Sequence, residues 1–187
     1  MSVPKLTAAV VADLIARYDA LQNPVEVVHL IEFLRRDPPS LILEVGVWKG
    51  GNAAILGTYF PNARMIGVDV LTPDSPEVPG LRRVVAEFGL ELVAGNTNHP
   101  ETAEIVRNMV GDQQAGYCFI DAAHDYDSVK RDFEVWSPLS RRVGFHDVHN
   151  PSVLRYWLEL CDFYGDHART AALWKEMDGH GIGVVMT

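Results

Sequence analysis

The sequence predicts an α/β fold: a mostly parallel sheet with helices on both faces. Three observations predict it. Beyond residue 40, short apolar runs alternate with segments of helical periodicity. Strand after strand, the apolar run stops at a polar or acidic residue. A glycine-rich turn, Gly46 to Gly51, joins the first such run to the helix that follows.

The first forty residues read as two helices. Leu6, Val10, Leu14, Tyr18 and Leu21 recur at helical spacing, as do Val27, Leu30, Ile31 and Leu34. Pro24 opens the second segment, and Pro38-Pro39 is expected to end it. Strands then follow at about 41–45, 65–70, 90–94, 117–121 and 142–146, with helices near 52–59, 82–88, 101–110 and 127–136. In the last of these, Val129, Phe133 and Trp136 mark a buried face while Lys130, Arg131 and Glu134 stay wet. A helix at 152–163 carries Val153, Tyr156, Trp157 and Leu160 inward. Two final apolar runs, 170–174 and 182–186, flank a turn containing Asp178-Gly179-His180-Gly181, and so short a link favours an antiparallel pair. Three prolines make 72–80 a surface loop.

Composition bounds the function. A chain of 187 residues is expected to form a single domain, 1–187, with N-terminal helices over 1–40 and a core over 41–187. Hydrophobic residues make up 48%, enough for a sizeable core. The net charge of −9 argues against partners such as nucleic acid or an anionic membrane. Cys118 and Cys161 lack disulfide-scaffold or metal-finger spacing, and no run approaches the roughly 18 apolar residues of a membrane span. The expected setting is the reducing cytoplasm.

The polar strand ends are Glu44, Asp69, Gly95-Asn96, Asp121 and His146-Asp147. Any one alone reads as a loop residue or helix cap. Their repetition places polar groups along one sheet edge, where α/β folds bind ligands. In the turn after the first strand, Gly46 permits a tight bend, and Gly50 and Gly51 are expected to let a ligand approach the backbone. Glu44 stands two residues before the first glycine, which suits a cationic ligand better than a phosphate. Asp69 follows 25 residues later, where a carboxylate can accept both hydroxyls of a ribose.

This acid, glycine turn and ribose acid resemble the class I S-adenosylmethionine-dependent methyltransferases over about 40–187. The likeness is strongest to the metal-dependent sugar and macrolide O-methyltransferases, the group that includes macrocin O-methyltransferase and the cephalosporin-hydroxylase-like proteins. It is carried by Gly95-Asn96-Thr97-Asn98-His99-Pro100-Glu101-Thr102, by Asp121-Ala122-Ala123-His124-Asp125-Tyr126 with Val129 and Asp132, and by Phe145-His146-Asp147-Val148. The resemblance implies a Rossmann-like methyltransferase fold, a seven-stranded mostly parallel sheet in the order 3-2-1-4-5-7-6 with the last strand antiparallel. It implies S-adenosylmethionine as cofactor, its methionine part held by Glu44 and Gly46 with Gly50, its ribose by Asp69 and its adenine by Asn96 and Thr97. It further implies that Asp121, beside the cofactor, and Asp147 bind a divalent metal, and that His124 is the general base beside Asp121. Two departures stand out: Asn96-Thr97 where relatives usually carry an acid and a serine, and Ala122-Ala123 where a further acid is usual.

The expected activity is O-methylation of a small-molecule hydroxyl, on a sugar or natural product. Carboxylates from neighbouring strands about 4.8 Å apart can share an ion, with Mg²⁺ ranked before Mn²⁺. His146 and His149 complicate that ranking, since imidazole favours softer ions. Alternation along the strand predicts that His146 and Asp147 point to opposite sides, with Asp147 facing the ion. His99 and His149 are expected to face solvent, Trp48 to shelter the cofactor or pack beneath the turn, and Trp136 and Trp157 to be core. Alternative readings are a metal-free methyltransferase using His124 or His146 alone, and a cofactor-binding domain without catalysis. A nicotinamide oxidoreductase would need a GxGxxG turn, which the chain lacks. Apolar residues on the first helices could form a homodimer face or cover the sheet.

Overall fold

The structure, a computed structural model, describes residues 3–76, 78–165, 170–173 and 180–187. Its first two elements are α1 (Ala8–Tyr18) and α2 (Pro24–Leu34). Thr7 caps α1 by accepting from the Val10 amide, and Asn23 caps α2, with Pro24 in the first turn where no amide is needed. The second helix ends at Leu34, ahead of Pro38-Pro39, because Arg36 and Asp37 tighten onto the carbonyls of Phe33 and Leu34.

Seven strands follow: β1 (Leu41–Val45), β2 (Arg64–Asp69), β3 (Glu91–Ala94), β4 (Tyr117–Ile120), β5 (Arg142–Phe145), β6 (Thr170–Leu173) and β7 (Ile182–Met186). They pair in the order β3-β2-β1-β4-β5-β7-β6. The first five are mutually parallel, and β7 runs antiparallel to both β5 and β6. Between the strands lie α3 (Gly51–Tyr59), α4 (Leu81–Phe88), α5 (Pro100–Val110), α6 (Tyr126–Trp136) and α7 (Pro151–Tyr164). Of the residues expected to close the sheet, Trp174, Asp178 and Gly179 lie outside the described residues, as does Glu77 in the 72–80 loop.

Side-chain alternation divides the core into two layers. Ile42, Tyr117, Phe119, Ile182 and Val184 face α1 to α4, whereas Leu43, Val45, Cys118, Ile120, Val143 and Phe145 face α5 to α7. Covering both faces is what a parallel sheet requires. Val27, Leu30, Ile31 and Leu34 of α2 are fully buried in the first layer, so this helix covers the sheet. Trp136 and Trp157 are core, as expected. No helix among the described residues is long and apolar enough to cross a membrane.

Strand order runs outward in opposite directions from β1 and from β4, so their carboxyl ends flank a crevice. Parallel pairing runs one rung past the strands there. The amides of Gly46, Asp121 and His146 donate to the carbonyls of Val68, Val45 and Ile120, at 2.9, 2.8 and 3.1 Å. These rungs fix the backbone just where the polar residues begin.

Candidate active site

A cavity of about 600 Å³ opens at this edge, lined by the carboxyl ends of β1, β2, β4 and β5, the loop after β3, and the turn between α1 and α2. One half is built by the glycine turn. Gly46 has φ +87°, and a Cβ there would come within 2.2 Å of the Asp121 carbonyl oxygen. Only glycine permits that approach. Gly50, at φ +79°, starts α3 and packs against Val84 and Leu81, away from the cavity lining. Gly51 lines the cavity but is pressed against Ala20 of the turn after α1. Gly50 therefore lies outside the cavity lining, whereas Gly51 remains within it, where its bare backbone borders the cavity.

Glu44 is 2% exposed and points into this half. Its Oε1 accepts from Asn52 Nδ2 at 3.3 Å, while its buried Oε2 has no protein partner. Burial pushes the carboxyl up to about 8; the Asn52 amide opposes that rise, and the carboxylates of Asp121 and Asp69 add to it. Asp69 is differently held. Its Oδ2 accepts from the amides of Val47 and Trp48 at 2.8 and 2.7 Å, and its Oδ1 from that of Leu71 at 2.8 Å. A carboxylate offers about four acceptor sites, so one is left toward the cavity. Trp48, at φ +47°, is partly exposed and lines the cavity.

Asn96, Thr97 and Asn98 form a third wall. Helix α6 holds this loop: Trp136 Nε1 donates to the Thr97 carbonyl at 2.9 Å, and Asn98 Nδ2 donates to Asp132 Oδ1 at 2.6 Å. Burial raises the pKa of Asp132 to about 6 against the pull of Thr97 and Asn98.

The other half gathers acids and imidazoles. His124 Nε2 lies 2.8 Å from Asp147 Oδ2 and 3.4 Å from Asp121 Oδ1. His146 Nδ1 lies 3.1 Å from Asp147 Oδ2 and 3.3 Å from Asp121 Oδ1. His180 Nδ1 is 2.7 Å from Asp147 Oδ1, and its ring stacks on His146 with centroids 5.1 Å apart. Gln22 Nε2 donates to Asp121 Oδ2 at 3.1 Å. Hydrogen bonds to the two aspartates hold the His124 pKa up at about 10. Burial drives His146 downward, but the same two carboxylates prevail and raise it to about 9. Burial likewise opposes ionisation of Asp121 and Asp147, and the imidazoles overcome it, leaving both carboxyls below their usual range. His124 and His146 thus favour their protonated forms, and Asp121 and Asp147 their ionised ones, each holding the other.

Both His146 and Asp147 face the cavity, which corrects the alternation argument. The strand ends at Phe145, and Asp147 adopts φ +56°, so the backbone turns its side chain back beside His146. His99 is exposed at the start of α5, as expected, whereas His149 is half-buried and outside the lining. Sequence reasoning missed His180 and Gln22. The signal for His180 was present: an antiparallel strand beside β5 begins where β5 ends, so a polar residue just before it reaches the same edge. Gln22 lay in an inter-helix turn with no periodic cue.

Two sets of potential ligand atoms, on Asp121, His124 and Asp147 and on His146, Asp147 and His180, each lie within 4.8 Å of one another. Carboxylate and imidazole are donors suited to a divalent ion. The partnerless Glu44 oxygen, buried at the opposite wall, suits an organic cation.

Residues 43–150 match the family model for a methyltransferase domain. No curated protein gives a significant sequence match. Among solved structures, the chain is similar to the O-methyltransferase from Bacillus cereus in complex with S-adenosylhomocysteine, at 17% identity and TM-score 0.65, over 99% of this chain and 93% of that one. It is similar to TomG from Streptomyces achromogenes, an O-methyltransferase of tomaymycin synthesis in complex with S-adenosylmethionine, at 18% identity and TM-score 0.61, over 100% and 92% of the two chains. MycE, a methyltransferase of the mycinamycin biosynthetic pathway in complex with Mg and S-adenosylhomocysteine, matches at 18% identity and TM-score 0.61, over 100% of this chain and 49% of that one. At these identities the likeness is one of fold. With more than half of its length matched by the family model, the chain belongs to the methyltransferase-domain family and has the class I S-adenosylmethionine-dependent methyltransferase fold.

Proposed function

We propose that residues 1–187 act as a single-domain S-adenosylmethionine-dependent O-methyltransferase on a small-molecule hydroxyl, such as that of a sugar or another vicinal diol, assisted by a divalent ion, Mg²⁺ or Mn²⁺, at Asp121 and Asp147. The observation that carries this reading is one cavity joining a Glu44–Asp69 wall to the Asp121–His124–His146–Asp147 cluster. The partnerless Glu44 oxygen supports a methionine ammonium at that wall, and the pinned Asp69 carboxylate supports a ribose beside it. The Asn96–Thr97 wall is then the adenine side. Cysteines without disulfide-scaffold or metal-finger spacing are in keeping with a cytoplasmic setting.

Bound S-adenosylmethionine supplies a methyl group on a sulfonium, and the ion supplies Lewis acidity toward the acceptor oxygen. Glu44, Asp69 and the 96–98 loop orient one reactant, and the aspartates orient the other; such positioning can contribute roughly 7–11 kcal/mol. His124 takes the proton that the acceptor hydroxyl gives up as its oxygen is methylated. In the free protein His124 already holds a proton against Asp121 and Asp147, so it would have to release that proton to solvent before acting as a base, a release that a cation held by those carboxylates would favour.

A metal-free reading has one specific observation in its favour: the histidines already pair with both aspartates. Calorimetry with S-adenosylhomocysteine, run with EDTA and with Mg²⁺ or Mn²⁺, separates the readings. A metal signal lost in Asp121→Ala supports the ion-assisted enzyme. Cofactor binding without a metal signal supports the metal-free one. Failure to bind S-adenosylhomocysteine in either condition rejects both.

A further inference from the structure

His180 and Gly181, just before β7, are tied down by backbone hydrogen bonds. His149 donates its amide to the His180 carbonyl at 3.1 Å, and Val148 donates to that of Gly181 at 3.2 Å. The Gly181 amide donates at 2.9 Å to Oε1 of Glu26, a wholly buried carboxylate of α2. Gly181 has φ +75°, and a Cβ there would fall 2.6 Å from Val148 Cγ2. Four constraints on two residues fix where the His180 ring stands. They place its Nδ1 on Asp147, with the His146 ring stacked beside it and His146 Nδ1 on the other oxygen of the same carboxylate.

We infer that His146, Asp147 and His180 form a nitrogen-rich ion centre that selects an imidazole-preferring transition-metal dication over Mg²⁺, with Glu26 as the positioning residue for His180. The inference rests on the reading that this cavity holds a divalent ion. The ligand atoms of these three residues lie within 4.8 Å of one another, close enough to converge on one ion. Two imidazoles and a carboxylate favour Fe²⁺, Co²⁺ or Zn²⁺, whereas Mg²⁺ prefers oxygen donors and water. His180 is about half exposed, so an ion has a path in from solvent.

The test uses the full chain stripped with EDTA and titrated separately with Co²⁺ and Mg²⁺, following heat and the visible absorption of cobalt, with S-adenosylhomocysteine affinity measured alongside. Wild type is expected to bind Co²⁺ at least about tenfold more tightly than Mg²⁺. His180→Ala is expected to lower Co²⁺ affinity about 10- to 100-fold and change the cobalt spectrum, with Mg²⁺ and S-adenosylhomocysteine affinities within about twofold. Glu26→Ala should mimic that spectral change by releasing His180. Glu26→Gln, whose amide oxygen still accepts from Gly181, should restore the wild-type spectrum. Equal affinity for both ions, or a cobalt spectrum indifferent to His180→Ala, overturns this inference and leaves ion binding at Asp121 and Asp147 standing. Absence of binding by either ion, with S-adenosylhomocysteine still bound, overturns both.

Discussion

The two halves of the cavity handle negative charge in opposite ways. On the β1–β2 side, Asp69 is satisfied by three backbone amides and Glu44 is left half-satisfied in a dry wall. On the β4–β5 side, Asp121 and Asp147 are satisfied by side chains, three of them imidazoles. Backbone donors cannot leave, so the first half is a fixed cradle. Imidazoles can rotate or surrender protons, so the second half can trade its partners for an ion or an acceptor. One half is suited to holding, the other to proton chemistry.

The sharpest way to break that contrast is His124→Ala. It should lower turnover with a diol acceptor by about 10²- to 10⁴-fold, read as S-adenosylhomocysteine release, while leaving cofactor affinity within about twofold. A matching loss of affinity would show that the halves are not separate. Asp69→Ala should do the reverse, weakening S-adenosylhomocysteine binding about 10- to 100-fold. It should also lower Tm, because each stranded amide costs about 1–3 kcal/mol. Asp69→Asn keeps an acceptor oxygen, so its Tm should recover further than its affinity.

Glu44 gives a finer test through protons. With its pKa at about 8 the free protein carries this carboxyl protonated at pH 7. Capture of an ammonium group should ionise it and release close to one proton. Calorimetry in phosphate and in Tris should then give different apparent enthalpies, and Glu44→Gln should erase the difference. Stability follows the same linkage. The folded chain holds the proton up to about pH 8 and the unfolded chain loses it near 4.5, so stability falls as pH rises across that window. Glu44→Gln should flatten that fall in a series of melting curves. The smallest effect belongs to Gln22→Ala, which removes one amide from Asp121 and should cost about 1 kcal/mol or less of stability.

The contrast also explains what the sequence discloses. Strands and helices were legible because apolar periodicity is local: β1 and β7 fall where alternation and burial place them, and most helix ends lie within a residue of the expected ones. Glu44, Asp69, Asp121 and Asp147 were legible because a parallel sheet delivers every strand end to one edge. The side-chain half was harder to read. His146 and Asp147 share a side only because of a left-handed residue that alternation does not foresee. His180 arrives through β7, which runs against its neighbours, and Gln22 through the packing of α1 and α2. Gly50 was harder to place because a glycine required by backbone angle and a glycine required by a ligand look alike in sequence.

Gly46 acts as a spacer gauge between those halves. Its missing side chain lets the turn after β1 rest directly on the Asp121 carbonyl. Any larger residue would wedge the Glu44–Asp69 wall away from the Asp121–Asp147 cluster. Transfer between two bound molecules depends on reacting atoms about 3–3.5 Å apart, and an ångström of misplacement can cost about a hundredfold in rate. On the proposed reading, the absence of one side-chain carbon in the scaffold thus sets the working distance for the methyl group that is transferred.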